Sequence, residues 1–299
     1  MGTTYKITIT STQIDSSKIH TSVDSILYLI NQEMSTYIAA STISRFNASE
    51  PGSKLLVGED FYYVLKKSIY YNNISSGAFD VTIKPLVDLW GFGDTGSALS
   101  LPDSIAVAKN LKFVGLEKLA ISSNRVLSKN KEVTIDLSAI AKGFAVDKIS
   151  NFLTKNSFDN HMVEIGGEVR VSGYNKNKNK WKIGIQNPDI DDTTVLATLL
   201  ISDKGIATSG NYRNYYDIDG RRYSHIISPS TGYPVGNQIR GITVISDNCL
   251  DSDALATALL VMDIEEGIKL IEDLKGFEVF YILEDGKHLL SSGFMNFVL

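Results

Sequence analysis

Residues 249–263 read CLDSDALATALLVMD, and from Ala254 to Met262 the one polar side chain is Thr257. Asp253 and Thr257 are four residues apart, so they share a face if the segment is helical. A carboxylate, a hydroxyl and a backbone carbonyl are the oxygen donors that suit a hard cation such as Mg²⁺, which keeps further positions for water and substrate phosphates. The competing reading is structural: Asp251 or Asp253 caps the helix, and Thr257 bonds back to a carbonyl. Capping requires one aspartate and leaves Thr257 unexplained.

A second group lies in IDLSAIAKGFAVD, 135–147, where Asp136 and Ser138 stand at a strand-to-helix junction. A helix start offers free N–H groups to phosphate oxygens, and Lys142, one turn in, adds a point charge. Gly143 admits a close neighbour, backbone or ligand. Without a role in binding, Asp136 or Ser138 is a cap and Lys142 a surface lysine. The glycine-rich stretch of a P-loop is missing. In EIGGEVRVSG, 164–173, Gly166 and Gly167 permit close backbone approach or a bulge. Glu164 and Glu168 could be paired acid/base carboxylates, but solvent-facing strand residues is the preferred reading. Thr208, Ser209, Gly210 and Asn211 form a small polar cluster fit for an anion. His225 precedes the turn-rich SPSTGYP, where a histidine can serve as acid or base or be a satisfied structural side chain. His20, His161 and His288 read as surface or structural, and no pair has the spacing of a zinc helix.

These residues need elements to hold them. The apolar spacing of Val23, Ile26, Leu27, Ile30 and Met34 predicts a helix over 22–38. Further helices are predicted over 60–75, 102–115, 139–156, the 249–263 segment and 264–275. Strands are predicted at 4–10 and through most of 161–246, with hairpins around Lys129–Asn130 and at Asp285–Gly286. Residues 39–54 read as loop. Strands clustered between helical blocks predict an α+β fold with mixed or antiparallel sheets packed with helices. The 299 residues are 43% hydrophobic and 21% charged, with net charge −5 and one cysteine, Cys249. That composition supports a large core, excludes an internal disulfide and any cysteine-based zinc cluster, and argues against a nucleic-acid partner. No run approaches the roughly 18 apolar residues of a membrane span.

In chain order, Met1–Tyr5 (MGTTY), MSTY with S.ISRFN from Met34 to Asn47, Ala78-Phe79-Asp80, Pro85 to Phe92, DLSAIAKGFAVD, IGGEV, SGNY, SHIISPSTGYPV and DALATALLVM resemble the ApbE family, the FAD:protein FMN transferases. The resemblance runs along nearly the whole chain. It implies a bacterial enzyme of α+β, T-fold-like architecture, one domain over 1–299 with room for two closely packed subdomains. It also implies that FAD is split as substrate with Mg²⁺ as cofactor. FMN passes to a threonine hydroxyl of another protein, and AMP leaves.

The resemblance further assigns roles. Asp253, Thr257 and the carbonyl of Ala139 match the metal ligands. Met1, Tyr37, Ala78, Phe79, Asp80, Asp136, Lys142 and His225 match contacts to the flavin nucleotide. His225, Asp253 and Lys142 carry the chemistry, with His225 taking the hydroxyl proton. An aromatic residue at Tyr37 leans toward holding FAD for transfer, where a small polar one is associated with hydrolysis. The implied acceptor is a flavin-carrying subunit of a membrane redox complex with a motif near Asp-Gly/Ser-Ala-Ser/Thr-Thr. The expected location is extracytoplasmic, by way of a tethered precursor whose signal is not in this sequence, with the cytoplasm as the alternative. An FAD pyrophosphatase giving FMN and AMP, or a non-catalytic FAD-binding protein, are the other readings.

Overall fold

The computed structural model describes residues 2–11, 14–93, 101–188, 194–211, 215–218, 221–236 and 238–299. Met1, expected beside the flavin, lies outside them. In chain order the first elements are β1 (Tyr5–Ile9), α1 (Ser16–Met34), α2 (Thr42–Asn47), β2 (Lys54–Leu56), α3 (Glu59–Ile74), α4 (Lys84–Leu89) and α5 (Ser104–Leu111). Then come β3 (Leu119–Ile121), β4 (Val126–Lys129), α6 (Ser138–Lys155), β5 (His161–Ile165), β6 (Glu168–Ser172), β7 (Trp181–Gln186) and β8 (Val195–Ile201). The last are β9 (Lys204–Gly210), β10 (Tyr215–Ile218), β11 (Arg221–Ser224), β12 (Ile239–Ser246), α7 (Cys249–Val261), α8 (Ile264–Asp273), β13 (Glu278–Leu283) and β14 (His288–Leu290). Among the described residues no helix is long and apolar enough to cross a membrane.

The chain divides into two compact units. The first comprises Met1–Leu27, Lys142–Asn214 and Asn237–Leu299. Its frame is a seven-stranded sheet in the order β1-β5-β6-β9-β12-β13-β14, and every pairing in it is antiparallel. The helix α7 packs on β9, β12 and β6. A cluster including Val171, Ile185, Leu199, Ile206, Phe280 and Phe294 forms the core against the β7–β8 ribbon. Burial of such side chains is the main favourable term in folding.

The second unit comprises Tyr28–Ala141 and Tyr215–Gly236. It holds the sheet β2-β4-β3, the ribbon β10–β11 and a core of Leu86, Trp90, Val107 and Ile227. Trp90 donates its indole N–H to the Gly232 carbonyl at 2.8 Å, which ties the turn after Ile227 to α4.

The sequence expectation meets several corrections. Where mixed sheets were allowed, the described strand pairs are all antiparallel. The expected hairpin at Lys129–Asn130 does not form: β4 pairs instead with β2 and β3, and 133–137 is no strand. Its alternating apolar residues Val133, Ile135 and Leu137 are nonetheless buried. The Asn47 side-chain amide stands where a partner strand would: it donates to the Ile135 carbonyl at 2.9 Å and accepts the Ile135 N–H at 2.8 Å. The predicted loop 39–54 contains α2, capped by Ser41, whose hydroxyl accepts the Ser44 N–H. The helix α4 was not anticipated.

Candidate active site

Every residue of α7 from Cys249 to Leu260 is buried except Thr257, which is half-buried. A helix apolar on all sides belongs inside a protein, so its start must be satisfied without water. Asn248 is the N-cap, not either aspartate: its side-chain oxygen accepts the Asp251 N–H at 2.9 Å. The Asp147 carboxylate, on α6, accepts the N–H groups of Cys249 and Leu250 at 2.9 and 2.8 Å, and the Arg170 guanidinium at 2.9 Å. Three of the first N–H groups are thus bonded to side chains. Asp253, one turn in, is left for other work. The Thr257 hydroxyl makes no bond back to the helix among the described residues, whereas Thr154 bonds the Ser150 carbonyl at 3.2 Å.

The helix α6 supplies the partners. The Gly143 N–H donates to Asp253 Oδ2 at 2.9 Å. A methyl at Gly143 would lie 2.4 Å from the Cys249 carbonyl oxygen, so glycine is what lets the two helices meet. Lys142 Nζ bonds Glu168 Oε1 and stands 3.6 Å from Asp253 Oδ1. The lysine side chain is 34% exposed against 3% and 2% for the carboxylates, so it is the least enclosed member of the trio.

Burial pushes both acids above the usual carboxylate range. For Glu168 the Asp253 charge adds to burial and Lys142 opposes it, leaving it pushed up to about 7. For Asp253 burial outweighs Lys142 and the Gly143 N–H. Burial pulls the Lys142 ammonium down, but Asp253 and Glu168 overcome it and hold the lysine above its ordinary range. Two buried carboxyl groups thus face a single ammonium. Among the described residues no group of three or more His, Cys, Asp or Glu is placed to hold a metal. A cation at Asp253 would therefore take one carboxylate, the Thr257 hydroxyl and a backbone carbonyl, with water and phosphate completing its shell, as Mg²⁺ prefers. The donor set fits that ion.

The correction here is Glu168, read from sequence as solvent-facing and found 2% exposed. Gly166 and Gly167, at φ 62° and 107°, make a two-residue turn that places Glu168 opposite Ile165. Directly paired residues face the same side of a sheet, and Ile165 faces the core. That register was readable from the Gly-Gly pair. Asp147 was also missed, although it follows Gly143 by four residues and so shares the close-contact face.

In the second unit, Asp136 Oδ1 accepts the Ser138 N–H at 2.8 Å at the start of α6, where Ala139 stands in the first turn. Asp80 accepts from the Thr82 N–H and hydroxyl at 2.7 and 2.6 Å, and burial raises it. Phe79 is a core side chain against Tyr71, and Ala78 precedes it at half burial. Tyr37 is 76% exposed. His225 follows directly on β11, with its ring edge-on to Phe92 at 6.2 Å. Phe92 in turn stacks on Tyr216. In the first unit, two members of the expected anion cluster make structural bonds: the Thr208 hydroxyl bonds that of Thr243, and Asn211 donates to the Ile239 carbonyl.

The sequence model of the ApbE family matches residues 1–281. The FAD:protein FMN transferase of Vibrio cholerae is 39% identical over 100% of this chain and 90% of its own length. The chain belongs to the ApbE family. The Haemophilus influenzae FAD:protein FMN transferase is 37% identical over 91% of this chain and 81% of its own. Among solved structures, the flavin transferase ApbE from Vibrio cholerae superposes with a TM-score of 0.91, covering 99% of this chain and 96% of that one. The ApbE protein of Thermotoga maritima, at 31% identity, gives a TM-score of 0.89 over 99% of this chain and 96% of that one. The helices and antiparallel sheets are those of the family.

Proposed function

We propose that the chain is an FAD:protein FMN transferase that uses Mg²⁺ and esterifies a threonine hydroxyl of an acceptor protein. The observation that carries the reading is full-length similarity to relatives bearing that name. The buried Asp253, with Thr257 at the half-exposed point of α7, supports the metal. When bound, Mg²⁺ supplies charge neutralisation to the phosphate oxygens of the pyrophosphate. The Lys142 ammonium, held charged by two carboxylates, adds to that neutralisation. His225 accepts the proton of the attacking hydroxyl. The new P–O bond forms at the FMN phosphorus as the anhydride bond breaks, and AMP leaves with the electron pair. Asp136, Ala78, Phe79 and Asp80 are the nucleotide contacts, Ala139 gives the third metal oxygen, and exposed Tyr37 offers a face for the isoalloxazine.

The acceptor we propose is a flavin-carrying redox subunit with the Asp-Gly/Ser-Ala-Ser/Thr-Thr pattern, met outside the cytoplasm. The test is incubation of the protein with FAD, Mg²⁺ and a peptide bearing that pattern. Covalent flavin fluorescence on the peptide, lost in Asp253→Ala, is expected. AMP release at the same rate without peptide would replace transfer with hydrolysis; FAD binding with neither product would replace it with storage.

A further inference from the structure

Lys142 stands between two buried carboxylates that do not share it equally. Its ammonium bonds Glu168 Oε1, while Asp253 Oδ1 is 3.6 Å away, beyond a good hydrogen bond. The other oxygen, Glu168 Oε2, is buried with no hydrogen-bond partner among the described residues. Such an atom carries its full desolvation penalty. Glu168 pairs across its hairpin with the core residue Ile165, a position where an apolar side chain would pack without that penalty.

The geometry points to Glu168 as a positioning residue for Asp253: by bonding the Lys142 ammonium, it keeps that group out of hydrogen-bond contact with Asp253 Oδ1, 3.6 Å away, and leaves the oxygen open to a divalent cation. The inference rests on the reading of Asp253 as a metal ligand. Without Glu168 the ammonium would have one buried carboxylate left to pair with. A cation would then have to break that pair before it could bind. With Glu168 in place, the lysine is engaged and Asp253 Oδ1 stays 3.6 Å from it. Lys142 thereby keeps a fixed position near the phosphate oxygens without closing the metal ligand.

The test uses Mn²⁺ as the probe, titrated by electron paramagnetic resonance against the full chain without FAD. Four variants join the wild type: Asp253→Ala, Glu168→Gln, Lys142→Met, and the Glu168→Gln/Lys142→Met double. Glu168→Gln should weaken Mn²⁺ binding about 10- to 100-fold, the usual effect of removing a group that orients a ligand. In the Lys142→Met background the same change should cost roughly threefold or less, because the competing charge is gone. Equal losses in both backgrounds would overturn the proposal, since Glu168 would then act only as a fixed negative charge. Wild-type affinity in folded Glu168→Gln would overturn it as well. Should Glu168→Gln fail to fold, Lys142→Met alone decides: Mn²⁺ binding as tight as wild type or tighter supports the proposal, and weaker binding refutes it. Undiminished Mn²⁺ binding in Asp253→Ala would instead refute the metal reading itself.

Discussion

Gly143→Ala tests whether the close approach of α6 to α7 is what sets Asp253. An added Cβ would meet the Cys249 carbonyl oxygen at 2.4 Å and Asp253 Cβ at 2.8 Å, below the 3.0 Å that real contacts keep. The first neighbour is backbone, held by the Asp147 carboxylate through the Cys249 N–H, so it does not swing aside. The helices must separate by about half an ångström or more. Alanine returns about 1 kcal/mol of helix propensity. Against that stand about 1–3 kcal/mol of overpacking and about 1.5–3 kcal/mol for a hydrogen bond to a charged group, here Gly143 to Asp253. The net expectation is ~1.5–5 kcal/mol of destabilisation, with Mn²⁺ affinity falling as Asp253 is displaced. Urea unfolding and metal titration on the same preparation measure both. Gly2→Ala, where a methyl meets nothing within 4 Å, is the control. If Gly143→Ala retains wild-type stability and metal affinity, the claim that this contact positions the carboxylate is wrong.

His225→Ala should lower transfer by about 10²–10⁴-fold, the contribution of a general base, while FAD affinity measured by fluorescence quenching stays near wild type; a parallel loss of binding would make His225 a contact and no base. Thr257→Val keeps the shape of the side chain in an apolar helix, so unfolding free energy should hold within about 0.5 kcal/mol. Mn²⁺ binding should weaken on the order of tenfold, about 1.4 kcal/mol, and unchanged affinity would remove Thr257 from the ligands. His161 is held below the ordinary histidine range by burial, against the Phe158 carbonyl. In the unfolded chain it protonates near pH ~6.5, so the unfolded state gains protons first and stability falls as pH drops through that point. The slope, at most about 1.4 kcal/mol per pH unit, should flatten in His161→Gln. Parallel pH profiles of urea midpoints for the two proteins would refute it.

Long periodic elements were legible in the sequence, and short ones were not. Five apolar residues at helical spacing gave α1, and Asp285–Gly286 gave the β13–β14 hairpin. The helices α2 and α4 have six residues each, too few for a period to repeat. The alternation Val133, Ile135, Leu137 reads as a strand because it is buried like one, but a single asparagine side chain replaces the partner. Asp253, Thr257 and Lys142 stood out because a polar group in an apolar run, or at a helix start, is visible locally. Glu168 and Asp147 did not, since their roles depend on which face of a hairpin or helix turns inward. Asn248 was hidden by two aspartates that looked like better caps.

The arrangement around α7 also links binding to stability. Asp147 bonds the helix start through two N–H groups and is charge-balanced by Arg170. Asp253 and Glu168 share one ammonium, and both sit above the usual carboxylate range chiefly because they are buried. Asp147 thus has a cation of its own, whereas the two neighbouring acids have one ammonium between them in a low-dielectric surrounding. A core selected for stability alone would place an apolar side chain at Glu168. Retaining a second buried acid there, one oxygen of it without a hydrogen-bond partner, costs stability in the metal-free fold. Binding to the folded state then raises stability by mass action. For this chain the increment should shrink when either Glu168 or Asp253 is removed.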